Sequence, residues 1–135
     1  MKLVIDANIF FSAVIKDSGT RKLIVDRRLV LYAPKYLILE FFKYKYELLK
    51  KSKLTEEAFN TIFKKLIRRI RIVDDLETMI FYAAAKRLIN DEKDAPYVAC
   101  ALAINAEVWS NDRHFSNKRI KTWKKEDLFK KMYKV

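Results

Sequence analysis

At 135 residues with 51% hydrophobic side chains, the chain is long enough for a real core, and residues 1–135 read as a single domain. One glycine, one histidine and one cysteine exclude phosphate-binding glycine loops, dinucleotide fingerprints, nucleophile elbows and a structural zinc site. The 29 Lys and Arg against 17 Asp and Glu, a net charge of +12, favour a polyanionic partner, nucleic acid first.

Cys100 lies in the apolar run VACALAI and reads as a small core residue in a reducing, cytoplasmic setting. Asp6 interrupts the N-terminal apolar run, so a leader peptide is not expected. No apolar stretch approaches the roughly 20 residues that span a bilayer, so no membrane partner is expected.

In chain order, residues 2–6 read as a buried strand and Asn8 as the N-cap of a helix to Ile15. A turn over 16–19 precedes a short helix from Thr20 to Arg28, and 29–33 reads as the second strand. Pro34 suits the first turn of the next helix, whose apolar pairs Leu37/Ile38, Phe41/Phe42 and Leu48/Leu49 keep helical spacing to about Lys51. Thr55-Glu56-Glu57 opens a helix ending near Arg69, with acids suited to its first turn, and 70–73 is a third strand. One helix is predicted from Asp74 or Asp75 to Leu88, then a polar loop over 90–93. Asp94 begins APYVACALAINA, which is apolar almost all round and so buried. A fourth strand over 107–110, a fifth over 120–123 and a helix over 126–134 complete the chain. Short strands alternating with helices predict a three-layer α/β/α sandwich around a mostly parallel sheet of four to five strands.

In such sheets the site lies beyond the carboxyl ends of the strands. Asp6 and Asp112 both fall there. Glu40 sits in the apolar stretch YLILEFF, and Asp94 opens the buried helix. Each has a plainer role open to it. Asp6 and Asp94 can cap helices, Glu40 can pair with Lys43, Asp112 can serve a turn, and Asp91 can be a solvated loop acid. Carboxylates brought close repel, and burial raises their pKa values; a divalent cation removes that conflict. Oxygen ligands without His or Cys point to Mg²⁺ or Mn²⁺, and the chemistry such sites support is phosphodiester hydrolysis.

LVIDANIF, Glu40 in ILEFF, DAPYVACALA and WSNDRHF, in that order, resemble the acidic motifs of the PIN domain family, including VapC-type toxins and related ribonucleases. The resemblance runs over nearly the whole chain. It implies an α/β/α fold and Mg²⁺- or Mn²⁺-dependent cleavage of RNA. It assigns Asp6, Glu40, Asp94 and Asp112 to the catalytic, metal-holding cluster. Asn8 and Ser110 would steady that cluster, with Asp91 an additional acid. An antitoxin protein and a second copy of the chain are the partners it implies.

Lysines 43, 45, 50, 51 and 53 with Tyr44 and Tyr46, a group from Lys64 to Arg71, and a group from Lys118 to Lys125 are candidates to hold RNA, or else solvated faces. Lys43, Arg113 and His114 lie nearest the expected site. Two rivals remain: a PIN-like RNA-processing or RNA-binding factor with little catalysis of its own, and a phosphorylated receiver-like domain. The second expects paired acids beside the first strand, where Asp6 has no acidic neighbour.

Overall fold

Leu3, Val4 and Ile5 are fully buried, as a strand covered on both faces requires. They belong to β1 (Lys2–Ile5) in a computed structural model that describes residues 1–16, 18–112 and 120–134. There follow α1 (Ala7–Ile15), α2 (Ser18–Ile24), β2 (Val30–Pro34), α3 (Tyr36–Ser52), α4 (Glu56–Ile67) and β3 (Ile70–Val73). Next come α5 (Asp75–Met79), α6 (Tyr82–Leu88), a single 3-10 turn (Glu92–Asp94) and α7 (Ala95–Ile104). β4 (Glu107–Trp109), β5 (Thr122–Trp123) and α8 (Lys125–Tyr133) close the order.

The five strands form one parallel sheet in the order β3-β2-β1-β4-β5. The chain first walks from β1 to β3, then jumps back across β1 to β4. Right-handed crossovers in opposite directions put their helices on opposite faces. Accordingly α1 packs against α2, α3 and α4, with α8 against α2, while α7 packs against α5, α6 and the strands β1, β2 and β4. The result is the expected three-layer α/β/α sandwich. No helix among the described residues is long and apolar enough to cross a membrane.

One layer is anchored by phenylalanines. Phe10 of α1, Phe41 of α3 and Phe63 of α4 meet, with Phe41 and Phe63 stacked at 4.0 Å and Phe10 edge-on to both. Phe59, also of α4, lies parallel to Phe41 with ring centroids 5.9 Å apart. Such pairs add specific geometry to large apolar burial.

Several local expectations are corrected. The N-cap of α1 is Asp6, whose carboxylate accepts from the Ile9 amide; Asn8 is exposed inside the helix. Pro34 ends β2, opposite Val73 of β3, and does not open α3. Ser18 and Gly19 belong to α2, where a Cβ on Gly19 would lie 3.2 Å from the Phe129 ring of α8, so the lone glycine serves close packing. The predicted helix to Leu88 is two helices, interrupted at Ile80–Phe81. β5 is shorter than its predicted span.

Candidate active site

The strand order reverses between β1 and β4, and the crevice at such a switch point is where parallel α/β domains bind. Asp6 directly follows β1, and Ser110 directly follows β4. The sheet pairing continues into these residues: the Asp6 amide donates to the Trp109 carbonyl at 3.1 Å, and the Ser110 amide to the Trp123 carbonyl at 3.0 Å.

Asp6 is only 5% exposed and Ser110 not at all. The Ser110 hydroxyl donates to Asp6 Oδ2, and the Ile9 amide donates to Asp6 Oδ1 at 3.0 Å. Ser110 Oγ in turn accepts from the Asp112 amide at 2.9 Å. One hydroxyl thus fixes both the first acid and the backbone that carries the last. Burial pushes the Asp6 carboxyl up to about 6 from an ordinary 3.8. The Ser110 and Ile9 hydrogen bonds oppose that push, and the charge of Asp112 adds to it.

Glu40 projects from α3, half-buried, and its Oε1 accepts from the Tyr97 phenol at 2.5 Å. Burial raises the Glu40 carboxyl above its ordinary value, while the Tyr97 bond and the charges of Lys93 and Lys43 pull it back. Burial, and then the Glu40 charge, hold the Tyr97 phenol well above the usual tyrosine range, so it remains a donor. Asp94 stands at the N-cap of α7, though its side chain does not cap the helix. The cap beside it is Asp91, whose Oδ1 accepts from the Lys93 amide at 3.0 Å and which opens the 3-10 turn.

These side chains line one cleft of about 310 Å³. Asp6, Asn8, Glu40, Asp91, Asp94 and Asp112 all face it, from four separate stretches of chain. Lys43 is exposed on α3, near enough for its charge to act on Glu40, but is not part of the wall. Arg113 and His114, with Lys118 and Arg119, lie outside the described residues.

The cleft also holds residues that the sequence reading missed as site residues. Tyr97, Glu47 and Lys93 line it, beside Lys51 and Tyr44 from the group expected to hold RNA. Glu40, Tyr44, Glu47 and Lys51 recur at spacings of four, three and four, which marks one face of α3. Tyr97 follows Asp94 by three residues in an otherwise small and aliphatic helix, and a buried phenol needs a partner. Both signals are present in the sequence.

The donor set suits a hard divalent ion: carboxylate oxygens from Asp6, Glu40, Asp94 and Asp112, with Asp6 buried and in no ion pair among the described residues. Among the described residues no three acidic side chains already stand as a preformed metal cage. The fit is therefore one of chemistry and placement.

A parallel three-layer domain with carboxylates gathered at its switch point is a recognisable class of hydrolase scaffold. The chain belongs to the PIN domain family, whose family model matches residues 4–132. The family is one of nucleases, which places the chain among the hydrolases at that level. The fold is also similar to a solved structure, VapBC2 from Rickettsia felis bound to a DNA fragment from its promoter. The TM-score is 0.69 at 18% identity, over 92% of this chain and 98% of that one. At that identity the likeness is one of fold. No curated protein matches the chain in sequence.

Proposed function

We propose that the chain is a divalent-metal-dependent endoribonuclease, with residues 1–135 working as one domain in the cytoplasm. The observation that carries this is the convergence of Asp6, Glu40, Asp94 and Asp112 on one cleft at the β1/β4 switch point. Asp6, Glu40, Asp94 and Asp112 would hold Mg²⁺ or Mn²⁺, which when bound lowers the pKa of a water and offsets charge on phosphate oxygens. Asn8 and Ser110 steady the acids, Ser110 through its bond to Asp6. Asp91 shapes the turn that presents Asp94, through its cap on the Lys93 amide. Lys51 and Lys93 on the cleft wall draw the phosphate backbone toward the acids, with Lys43 beside them, and Tyr44 offers an aromatic face to an unpaired base.

The test is cleavage of a labelled single-stranded RNA by the purified protein. Asp6→Asn and excess EDTA are each expected to lower the rate at least 100-fold while circular dichroism keeps its native form. Undiminished cleavage in either sample would sink the mechanism.

A second reading has one observation in its favour, the lack of a preformed acidic cage among the described residues. It makes the chain an RNA-binding or RNA-processing factor with little catalysis, and predicts RNA binding that EDTA leaves intact and no cleavage.

The proposal extends to partners. The fold likeness to the VapBC2 protein supports a toxin role, with an antitoxin protein covering the cleft. A second copy of the chain is the other proposed partner. A groove of about 850 Å³ lies beside the site, lined by Leu39, Met79 and Tyr82 among others, and Leu76 and Ile80 stand exposed on and beside the same short helix. Exposed aliphatic residues of that size support a protein surface there. A molar mass of one chain by light scattering across the micromolar range would remove the second copy.

A further inference from the structure

Glu40 and Tyr97 belong to opposite layers of the sandwich. The hydrogen bond from the Tyr97 phenol to Glu40 Oε1 therefore joins α3 to α7 over the carboxyl edge of the sheet. The two partners differ in freedom. A glutamate has three rotatable side-chain bonds and loses entropy when held. Tyr97 is 2% exposed, lies one turn into a buried helix, and meets the Tyr36 ring edge-on at 6.2 Å. Its hydroxyl is thus a fixed point against which the glutamate is set. The same end of α7 presents Asp94, three residues earlier, to the same cleft. Among the described residues, Tyr97 is the side chain that hydrogen-bonds Glu40, while Lys43 and Lys93 act on it only through charge.

We propose that Tyr97 is a positioning residue, whose phenol fixes the Glu40 carboxylate in the cleft through Oε1 and leaves Oε2 available as a ligand oxygen. This rests on the metal-dependent reading above. Partners of this kind orient metal-binding side chains, and their loss costs about 10- to 100-fold in affinity. Tyr97→Phe keeps the ring and its packing and deletes only the donor. Glu40 then samples several rotamers, and holding a cation must restrict them.

The experiment is Mn²⁺ binding to the purified full chain by isothermal titration calorimetry, with thermal unfolding run alongside. The samples are wild type, Tyr97→Phe, Glu40→Gln and the double variant. Tyr97→Phe is expected to weaken binding about tenfold at near-native Tm. Glu40→Gln should weaken it at least as much, and the double variant no further than Glu40→Gln alone, because Tyr97 acts only through Glu40. Unchanged affinity in Tyr97→Phe would overturn the proposal, as would losses that add in the double variant. Unfolding of Tyr97→Phe would also overturn it, since the bond would then be holding the fold and not the carboxylate. A wild-type chain that binds no Mn²⁺ overturns the metal-dependent reading itself, an outcome separate from the others.

Discussion

Asp6 carries two duties that pull against each other. As the cap of α1 it accepts an amide, which favours the charged form; as a buried group at a strand end it is pushed toward neutrality, and burial wins. The consequence is a stability that depends on pH. Below 3.8 both the folded and unfolded chains keep the proton. Between 3.8 and about 6 the folded chain keeps it and the unfolded chain has lost it, so stability falls as pH rises through that window and levels off above it. The loss is on the order of 3 kcal/mol. The upward shift of Glu40, also caused chiefly by burial, acts in the same direction. Chemical denaturation in EDTA should therefore give a lower unfolding free energy at pH 7 than at pH 5. Asp6→Asn should flatten most of that difference, and an equal slope in the two proteins would refute the assignment. Excess Mg²⁺ at pH 7 should raise the Tm of wild type more than that of Asp6→Asn, because binding stabilises only the folded chain.

The elements divide by how locally they are encoded. Strand β1 is legible as a short apolar run, and α4 from Thr55, whose side chain accepts from the Ala58 amide as an N-cap should. The break between α5 and α6 is not legible, since FYAAAKRL continues a good helical sequence. Pro34 misleads because a proline is as acceptable at the last residue of a strand as at the start of a helix. The cap of α1 misleads in a more useful way: Asn8 has the right chemistry, but Asp6 is both cap and candidate ligand. The phenylalanine cluster makes a prediction at this scale. Phe41, stacked on Phe63 and Phe59, joins α3 to α1 and α4 and lies behind the helix face that bears Glu40. Phe41→Ala should cost about 3–5 kcal/mol in urea unfolding. A loss below about 1 kcal/mol would mean the cluster does not hold that layer together.

Across the whole molecule the net charge of +12 is the largest electrostatic fact, and the far end of α3 contributes Lys50 and Lys51 to it, with Lys53 just beyond. Neutralising Lys50, Lys51 and Lys53 to Gln should weaken RNA binding regardless of sequence. It should also reduce the slope of log affinity against log salt by about 2. An unchanged slope would take that end of α3 off the RNA path. At this scale the class of fold and the four acids are readable from the chain, because strand ends and out-of-place charges are local signals. Asp6 and Asp112 already fall at the same end of the sheet in the sequence, and the family resemblance groups all four; which other side chains join them depends on how the helices face one another. Tyr97 and Glu47 carry local signals, a phenol in a small-residue helix and a place on the Glu40 face of α3, which mark them for the site only once α3 and α7 face one another.

The Ser110–Asp6 bond joins residues 104 apart in the chain. A ribosome delivers β1 long before β4, and through that interval β1 has β2 as a partner on one side only. Leu3, Val4 and Ile5 then form an open strand edge of the kind that sticks to other chains. The arrival of β4 closes that edge and brings the hydroxyl to Asp6 in the same step. The step that closes this strand edge is thus also the step that completes the acidic cleft.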